Sequence, residues 1–335
     1  MARRHQRITL ADVAREADVS TMTVSRVING TGRISDDTRE HVQTIIDKLG
    51  YRPNRAARTL VTNRTYTVGF VVPDITNPYF TEILQGVEEF FWQEGYNVLL
   101  GNTNEDPERE EAVLSQLEET TIDGLIVCSR LPDNVLFRLI EKHPAVVVLN
   151  RDAPQHIASV VNTRHSKGFR SILAAKYLHN SGRRKIGYIS LIRGSSLIDI
   201  QEFATAVEED GIEINFDWYD SCAPSWNGGY DAGKRLLQNH PELDALIGGN
   251  DLVALGAMRA ALDLGRQVPE DLGVVGGDDI LMSSQVSPPL TTFRVDKFEV
   301  GTQAAQLLLY RMEGDKTYRE HRYHYDEELI IRGST

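Results

Sequence analysis

The residues with the most chemical content are Thr21, Met22, Ser25, Arg26 and Asn29. Two hydroxyl-bearing side chains flanking a flexible apolar tip, then a guanidinium and an amide, fall at helical spacing on one face. Such a set suits the edges of base pairs in a major groove, where an arginine takes a guanine bidentately and a methionine meets a thymine methyl. Two helices joined by a tight turn also occur in proteins that never touch DNA, so the pattern by itself leaves both readings open.

The elements that must hold this face are readable on either side of it. Leu10, Val13, Ala14 and Ala17 have helical spacing, as do Val24, Val27 and Ile28, and the rhythm breaks once at Asp18-Val19-Ser20. Ser20 is placed to cap a second helix beginning near Thr21. Ser35 can cap a third helix running to Leu49, with Val42, Ile45, Ile46 and Leu49 inward and Gly50 as its stop. The next stretch carries Arg52, Arg55 and Arg58, with Pro53 and no core-facing stripe. It is too short to be helical alone and is expected to order on a partner.

Charge separates this head from the rest. The net charge is −12, yet residues 1–65 carry 12 Lys and Arg against 7 Asp and Glu, and the remainder 24 against 41. A basic head meets phosphates, while an acidic body discourages indiscriminate binding elsewhere. No apolar run reaches membrane-spanning length, and MARRHQRITL has no apolar stretch behind its basic residues. No membrane association and a cytoplasmic location are therefore expected. Cys128 and Cys222 are too few for a disulfide framework and lack metal-ligand spacing.

From Thr67 onward short apolar runs alternate with helix-patterned segments. The runs are 68–72, 98–100, 125–127, 146–149, 186–189, 245–247 and 273–275. The helical segments are 79–94, 108–119, 135–142, 166–180, 200–209, 228–239 and 252–264. Strict alternation means βαβ units, hence an α/β body of doubly wound parallel sheets, and there are enough units for two sheets with a cleft between them. No phosphate-binding glycine loop, nucleophile elbow, zinc spacing or paired-carboxylate motif follows any strand, so no catalysis, cofactor or metal is expected.

The ordered series TLADVAREADVSTMTVSRVING, Gly50-Tyr51-Arg52-Pro53-Asn54, VGFVVPDITNPYF, DGLIV, NDLVALGAMRA, Pro288-Pro289-Leu290-Thr291-Thr292 and ELIIRGST resembles the lactose-repressor (LacI/GalR) family of bacterial transcription regulators. The match runs from Thr9 to Thr335. It implies a helix-turn-helix domain over 1–50, a linker and hinge helix over 51–65, and a periplasmic-binding-protein-like body over 66–335. The body would comprise an N-subdomain of about 66–163 and 292–323 and a C-subdomain of about 164–291 and 324–335, linked by three crossovers. The resemblance implies a homodimer on a pseudo-palindromic double-stranded DNA operator, acting as a repressor under allosteric control by a small-molecule effector. Members of the family with leucine heptads at the C-terminus form tetramers; none follows the last expected strand, which favours a dimer.

By position, the resemblance makes Thr21, Met22 and Arg26 base readers and puts Asn54, Ala57 and Leu60 in the hinge, with Leu60 the wedge that kinks the central base step from the minor groove. It places Tyr79, Phe80, Asn150, Arg151, Arg193, Ser195 and Asp251 around the effector, a sugar, polyol or nucleoside. Three departures stand out: Asp199 falls where the family has a ligand-binding arginine, Gly276-Gly277-Asp278-Asp279 lacks an aromatic, and Asn162-Thr163 replaces Asp-Asn. Trp226 lies close to a stacking-aromatic position. Asp199 near Asp251 would disfavour an anionic ligand unless Arg151 and Arg193 offset it. The competing readings are a transport solute-binding protein, which would carry a signal peptide and no head, and a sugar- or nucleoside-acting binding protein or enzyme on the same core.

Overall fold

The computed structural model describes residues 8–29, 32–51, 64–119, 122–141, 143, 145–151, 158–162, 169–191, 207–208, 211–212, 215–314 and 322–335. The chain divides into two units, Met1–Thr65 and Tyr66–Thr335.

In the first unit α1 (Leu10–Glu16), α2 (Thr21–Asn29) and α3 (Asp36–Leu49) share a core of Val13, Ala14, Ala17, Val24, Val27, Val42, Ile45, Ile46 and Tyr51. Local chemistry fixes each boundary. Thr9 and Asp12 form a reciprocal capping box on α1, Ser20 Oγ accepts from Thr23 N at 3.0 Å, and Ser35 Oγ accepts from Thr38 N at 3.3 Å. Gly50, at φ 62°, ends α3 in the left-handed conformation that other residues adopt with strain. The caps of α2 and α3 and the inward faces of all three helices thus follow the sequence reading, which omits the capping box of α1.

The second unit has two lobes. One holds a parallel sheet of β1 (Thr67–Val72), β2 (Asn97–Asn102), β3 (Gly124–Val127), β4 (Val146–Leu149), β5 (Ala158–Asn162) and β11 (Arg322–Tyr325), in the order β11-β5-β4-β3-β1-β2. Its helices are α4 (Pro78–Gln93), α5 (Pro107–Glu119), α6 (Asp133–Ile140) and α11 (Lys297–Glu313). The other lobe holds β6 (Ile186–Leu191), β7 (Tyr219–Cys222), β8 (Ala245–Gly248) and β9 (Gly273–Val275), parallel in the order β7-β6-β8-β9. Its helices are α7 (Phe169–Asn180), α8 (Trp226–Asn239), α9 (Asp251–Asp263) and the short α10 (Leu281–Gln285). A ribbon of β10 (Thr292–Arg294) and β12 (Glu328–Ile330) pairs antiparallel. The chain passes between lobes after β5, after β10 and after β11, so the loops at the carboxyl ends of both sheets face a common cleft.

Each lobe is tightened by a helix pair that meets backbone to backbone. A Cβ on Gly86 of α4 would overlap the carbonyl oxygen of Phe298, and one on Gly301 of α11 would overlap that of Ile83. Gly229 of α8 and Gly256 of α9 stand in the same relation to Val253 and Trp226. Fully buried side chains, Phe70, Phe91, Ile83 and Ile126 among them, fill the space between these helices and the sheets.

The expected apolar runs are all strands. The apolar-run reading overlooked β5, β7, β10, β11 and β12. β7 and β11 stand at the edges of their sheets with Tyr-Asp-Ser-Cys and Arg-Tyr-His-Tyr, sequences without a continuous apolar run. Most of the helix expected over 200–209 lies outside the described residues.

Candidate functional site

Three of the five residues expected on the free face of α2 are exposed. Met22 is 62% exposed, Thr21 and Arg26 are exposed, and Ser25 is half-buried, while Val24 and Val27 turn into the core. The turn before it is tight enough that Asp18 adopts φ 51°, a conformation that aspartate tolerates better than most residues. Asn29 closes α2, and its side chain lies outside the described residues, as do Asn54, Ala57 and Leu60.

In the second unit both lobes contribute to one polar cluster. Tyr79, in the first turn of α4, donates through its hydroxyl to Asn150 Oδ1 at 3.2 Å, and Tyr325, at the end of β11, donates to the same oxygen at 2.7 Å. Asn150 follows β4 at φ 54°, which swings its amide back between the two phenols. From the other lobe Arg170, near the start of α7, donates Nε to Glu327 Oε2 at 2.7 Å, makes a second bond to Glu327 Oε1, and reaches Asp278 Oδ1 at 3.3 Å. Burial pushes the Tyr79 phenol up to about 12, and the Tyr325 phenol also rises for that reason, so both stay neutral donors. Lys297, the first residue of α11, bonds the carbonyls of Asp278 and Asp279 at 2.9 Å each and pairs with Glu82 of α4 at 3.2 Å. One cation thus ties the Asp278 turn to the helix that carries Tyr79 in its first turn.

The carboxylate expected to meet ligand is a different one. Asp251 has no exposed surface: Oδ1 accepts from Gly277 N at 2.7 Å, Asp278 N at 3.0 Å and the Thr292 hydroxyl, and Oδ2 from Ile280 N at 2.9 Å and Ser283 Oγ at 2.6 Å. With five donors its lone-pair sites are filled, so its work is to shape the 277–280 turn. Gly276 is bare because a Cβ there would overlap Asp251 Oδ1. The acid presented to the cluster is Asp278. Arg151 is also committed elsewhere: it donates to Leu131 O at 2.6 Å and Ser129 O at 3.4 Å and pairs with Asp133 at 3.1 Å. Phe80 is buried, edge-on to Tyr79 with centroids 5.3 Å apart. Trp226 stacks on Tyr230 with centroids 5.5 Å apart. Arg193, Ser195 and Asp199 lie outside the described residues.

Sequence reasoning missed Arg170, Tyr325 and Glu327. Tyr325 and Glu327 stand just before the ELIIRGST motif, but nothing local marks them as facing Asn150 and Arg170. Asp278 was visible within Gly-Gly-Asp-Asp, where the missing aromatic drew the attention.

Asp278 gives the cluster a pH dependence. Burial raises its carboxyl to about 6, against the opposing pull of Arg170. Because the folded value lies above the unfolded one, its contribution to stability is full below about pH 4 and is lost as pH rises through about 6. The melting temperature of the protein minus that of D278N should therefore fall over that window. A flat difference would remove Asp278 from the cluster's electrostatics.

Comparison with known proteins agrees with this architecture. Residues 9–54 match the model for bacterial regulatory proteins of the lacI family, and residues 175–335 match a periplasmic binding protein-like domain. The HTH-type transcriptional repressor PurR of Haemophilus influenzae is 37% identical over 333 residues, covering 97% of this chain and 98% of its own. Among solved structures, a lac repressor dimer bound to operator and an anti-inducer superposes with a TM-score of 0.85 at 25% identity, covering 98% of this chain and 99% of that one. A CelR–cellobiose complex superposes at 0.71 with 28% identity, covering 98% of this chain and all of that one. With a three-helix head, a two-lobed α/β body and 37% identity to a repressor across 97% of its length, the chain belongs to the lacI family of bacterial regulatory proteins.

Proposed function

We propose that this protein is a transcriptional repressor that binds a pseudo-palindromic operator as a homodimer and is switched by a small ligand held between the lobes of its body. It has no catalytic role and works in the cytoplasm. The face of α2 carries the reading: Met22 and Arg26 stand exposed on a helix whose other side completes a very small core. Thr21, Met22, Ser25, Arg26 and Asn29 read base edges, and Asn54, Ala57 and Leu60 contact the minor groove.

The ligand is a sugar, polyol or nucleoside. Tyr79 and Tyr325, having donated to Asn150, keep acceptor lone pairs on their hydroxyl oxygens, Asn150 keeps its NH2 as a donor and Asp278 adds a carboxylate acceptor, a set for neutral polar groups. Arg193, Ser195 and Asp199 complete the contacts, with Phe80 and Trp226 as apolar neighbours. The ligand must favour one lobe arrangement to act at the head. A second copy covers the apolar surface at Leu99 and Leu100 of edge strand β2 and at Leu281 and Met282 of α10, the two latter 68% and 47% exposed. The dimeric relative bound to operator supports that occupant.

The test is selection of binding sites from random duplex DNA by the full chain, with thermal-shift screening of cellobiose, ribose, sorbitol and adenosine. An enriched inverted repeat, and a stabilising compound that changes affinity for it, are expected. Enrichment of no sequence would refute the reading.

A further inference from the structure

Seven glycines among the described residues have positive φ: Gly32, Gly50, Gly95, Gly182, Gly211, Gly265 and Gly314. At six of them a Cβ would meet nothing within 4 Å, so they serve the backbone alone. Gly32 differs. At φ 77° a Cβ would lie 3.2 Å from Cδ, 3.4 Å from Nε and 3.7 Å from Cγ of Arg26. The stem of Arg26 therefore runs back from the last turn of α2 across the bare backbone of Gly32.

We infer that Gly32 positions Arg26, and through it sets base preference at the operator. The inference rests on the reading of Arg26 as a base contact. An arginine stem has many rotamers, and a bidentate contact to a base uses few of them. A surface that already confines the stem leaves less freedom to lose on docking. A side chain at position 32 displaces the stem by a few tenths of an ångström and redirects the fork at its end. Two parallel hydrogen bonds tolerate little misdirection. Gly32 thus has two separable duties, a left-handed turn and an open floor for Arg26.

G32N separates them, because asparagine accepts left-handed φ while its Cβ meets the Arg26 stem. Full-length wild type, G32N, R26A and the double variant are each put through selection from random duplex DNA. Amide exchange over 10–49 monitors the fold of the head. G32N is expected to keep its exchange protection and to lose about tenfold in discrimination at the symmetric positions that R26A also relaxes. The double variant should match R26A alone, since a floor matters only beneath a stem.

Full discrimination in G32N at positions relaxed by R26A overturns the inference and leaves the reading of Arg26 intact. Unchanged preference in R26A overturns that reading, and the inference with it. If G32N loosens the head, the wild-type protein decides: the Arg26 Nε–H order parameter, measured without DNA, should exceed that of exposed Arg33. Equal values overturn the inference.

Discussion

Replacing Asp251 with alanine should lower the stability of the body by about 4 kcal/mol. Loss of a buried charged partner leaves its former donors without acceptors, and each such group costs about 1–3 kcal/mol. Three of the five donors to Asp251 are backbone N–H groups, of Gly277, Asp278 and Ile280; those of Gly277 and Ile280 have no second acceptor among the described residues, while Asp278 N also meets Thr292 Oγ1 at 3.1 Å. The hydroxyls of Ser283 and Thr292 can turn, so they add less. Water admitted to the vacated space recovers part of the loss. At roughly 2–4 °C per kcal/mol for a unit of this size, the melting temperature should fall by about 8–16 °C.

D251N tests the mechanism. It keeps the shape but turns an NH2 toward some of those donors, so its loss should be smaller, about 2 kcal/mol. Equal and small losses in the two variants would show that the turn holds its form without the carboxylate. If the proposed ligand site is right, both variants should also weaken ligand binding, because the turn that Asp251 shapes holds Asp278 against Arg170.

This pair of acids marks the limit of what was legible in the sequence. The three helices of the head, their caps at Ser20 and Ser35 and the stop at Gly50 follow from local patterns, since each is decided within a few residues. The alternation of the body is legible for the same reason. Asp251 and Asp278 each follow a strand and look alike as letters. Which one is enclosed by the turn and which one meets Arg170 depends on backbone donors 26–29 residues beyond Asp251, at Gly277, Asp278 and Ile280. The meeting of Tyr325 with Asn150 spans 175 residues and has no local signature at all. Arg151, which the resemblance places around the effector, donates to the carbonyls of Ser129 and Leu131, partners that no local pattern marks.

The other large effect should appear at the operator. R26A should weaken specific binding by about 1–3 kcal/mol in each half-site, hence about 2–6 kcal/mol for a dimer, and relax preference at one symmetric pair of positions. Arg26 is exposed on a rigid helix, so its removal leaves the core of Val24, Val27 and Ile46 unchanged. The loss should therefore fall on recognition and spare folding. Salt dependence tells a base contact from a phosphate contact. Removing a phosphate contact weakens all sequences about equally and lowers the salt slope by roughly one, whereas removing a base contact leaves the slope and erases one preference. Binding isotherms for R26A at several salt concentrations, on the selected site and on a scrambled duplex, separate the two. An equal loss on both duplexes with a reduced slope would move Arg26 from the base edges to the backbone. Met22 and Thr21 would then be left as the readers on α2.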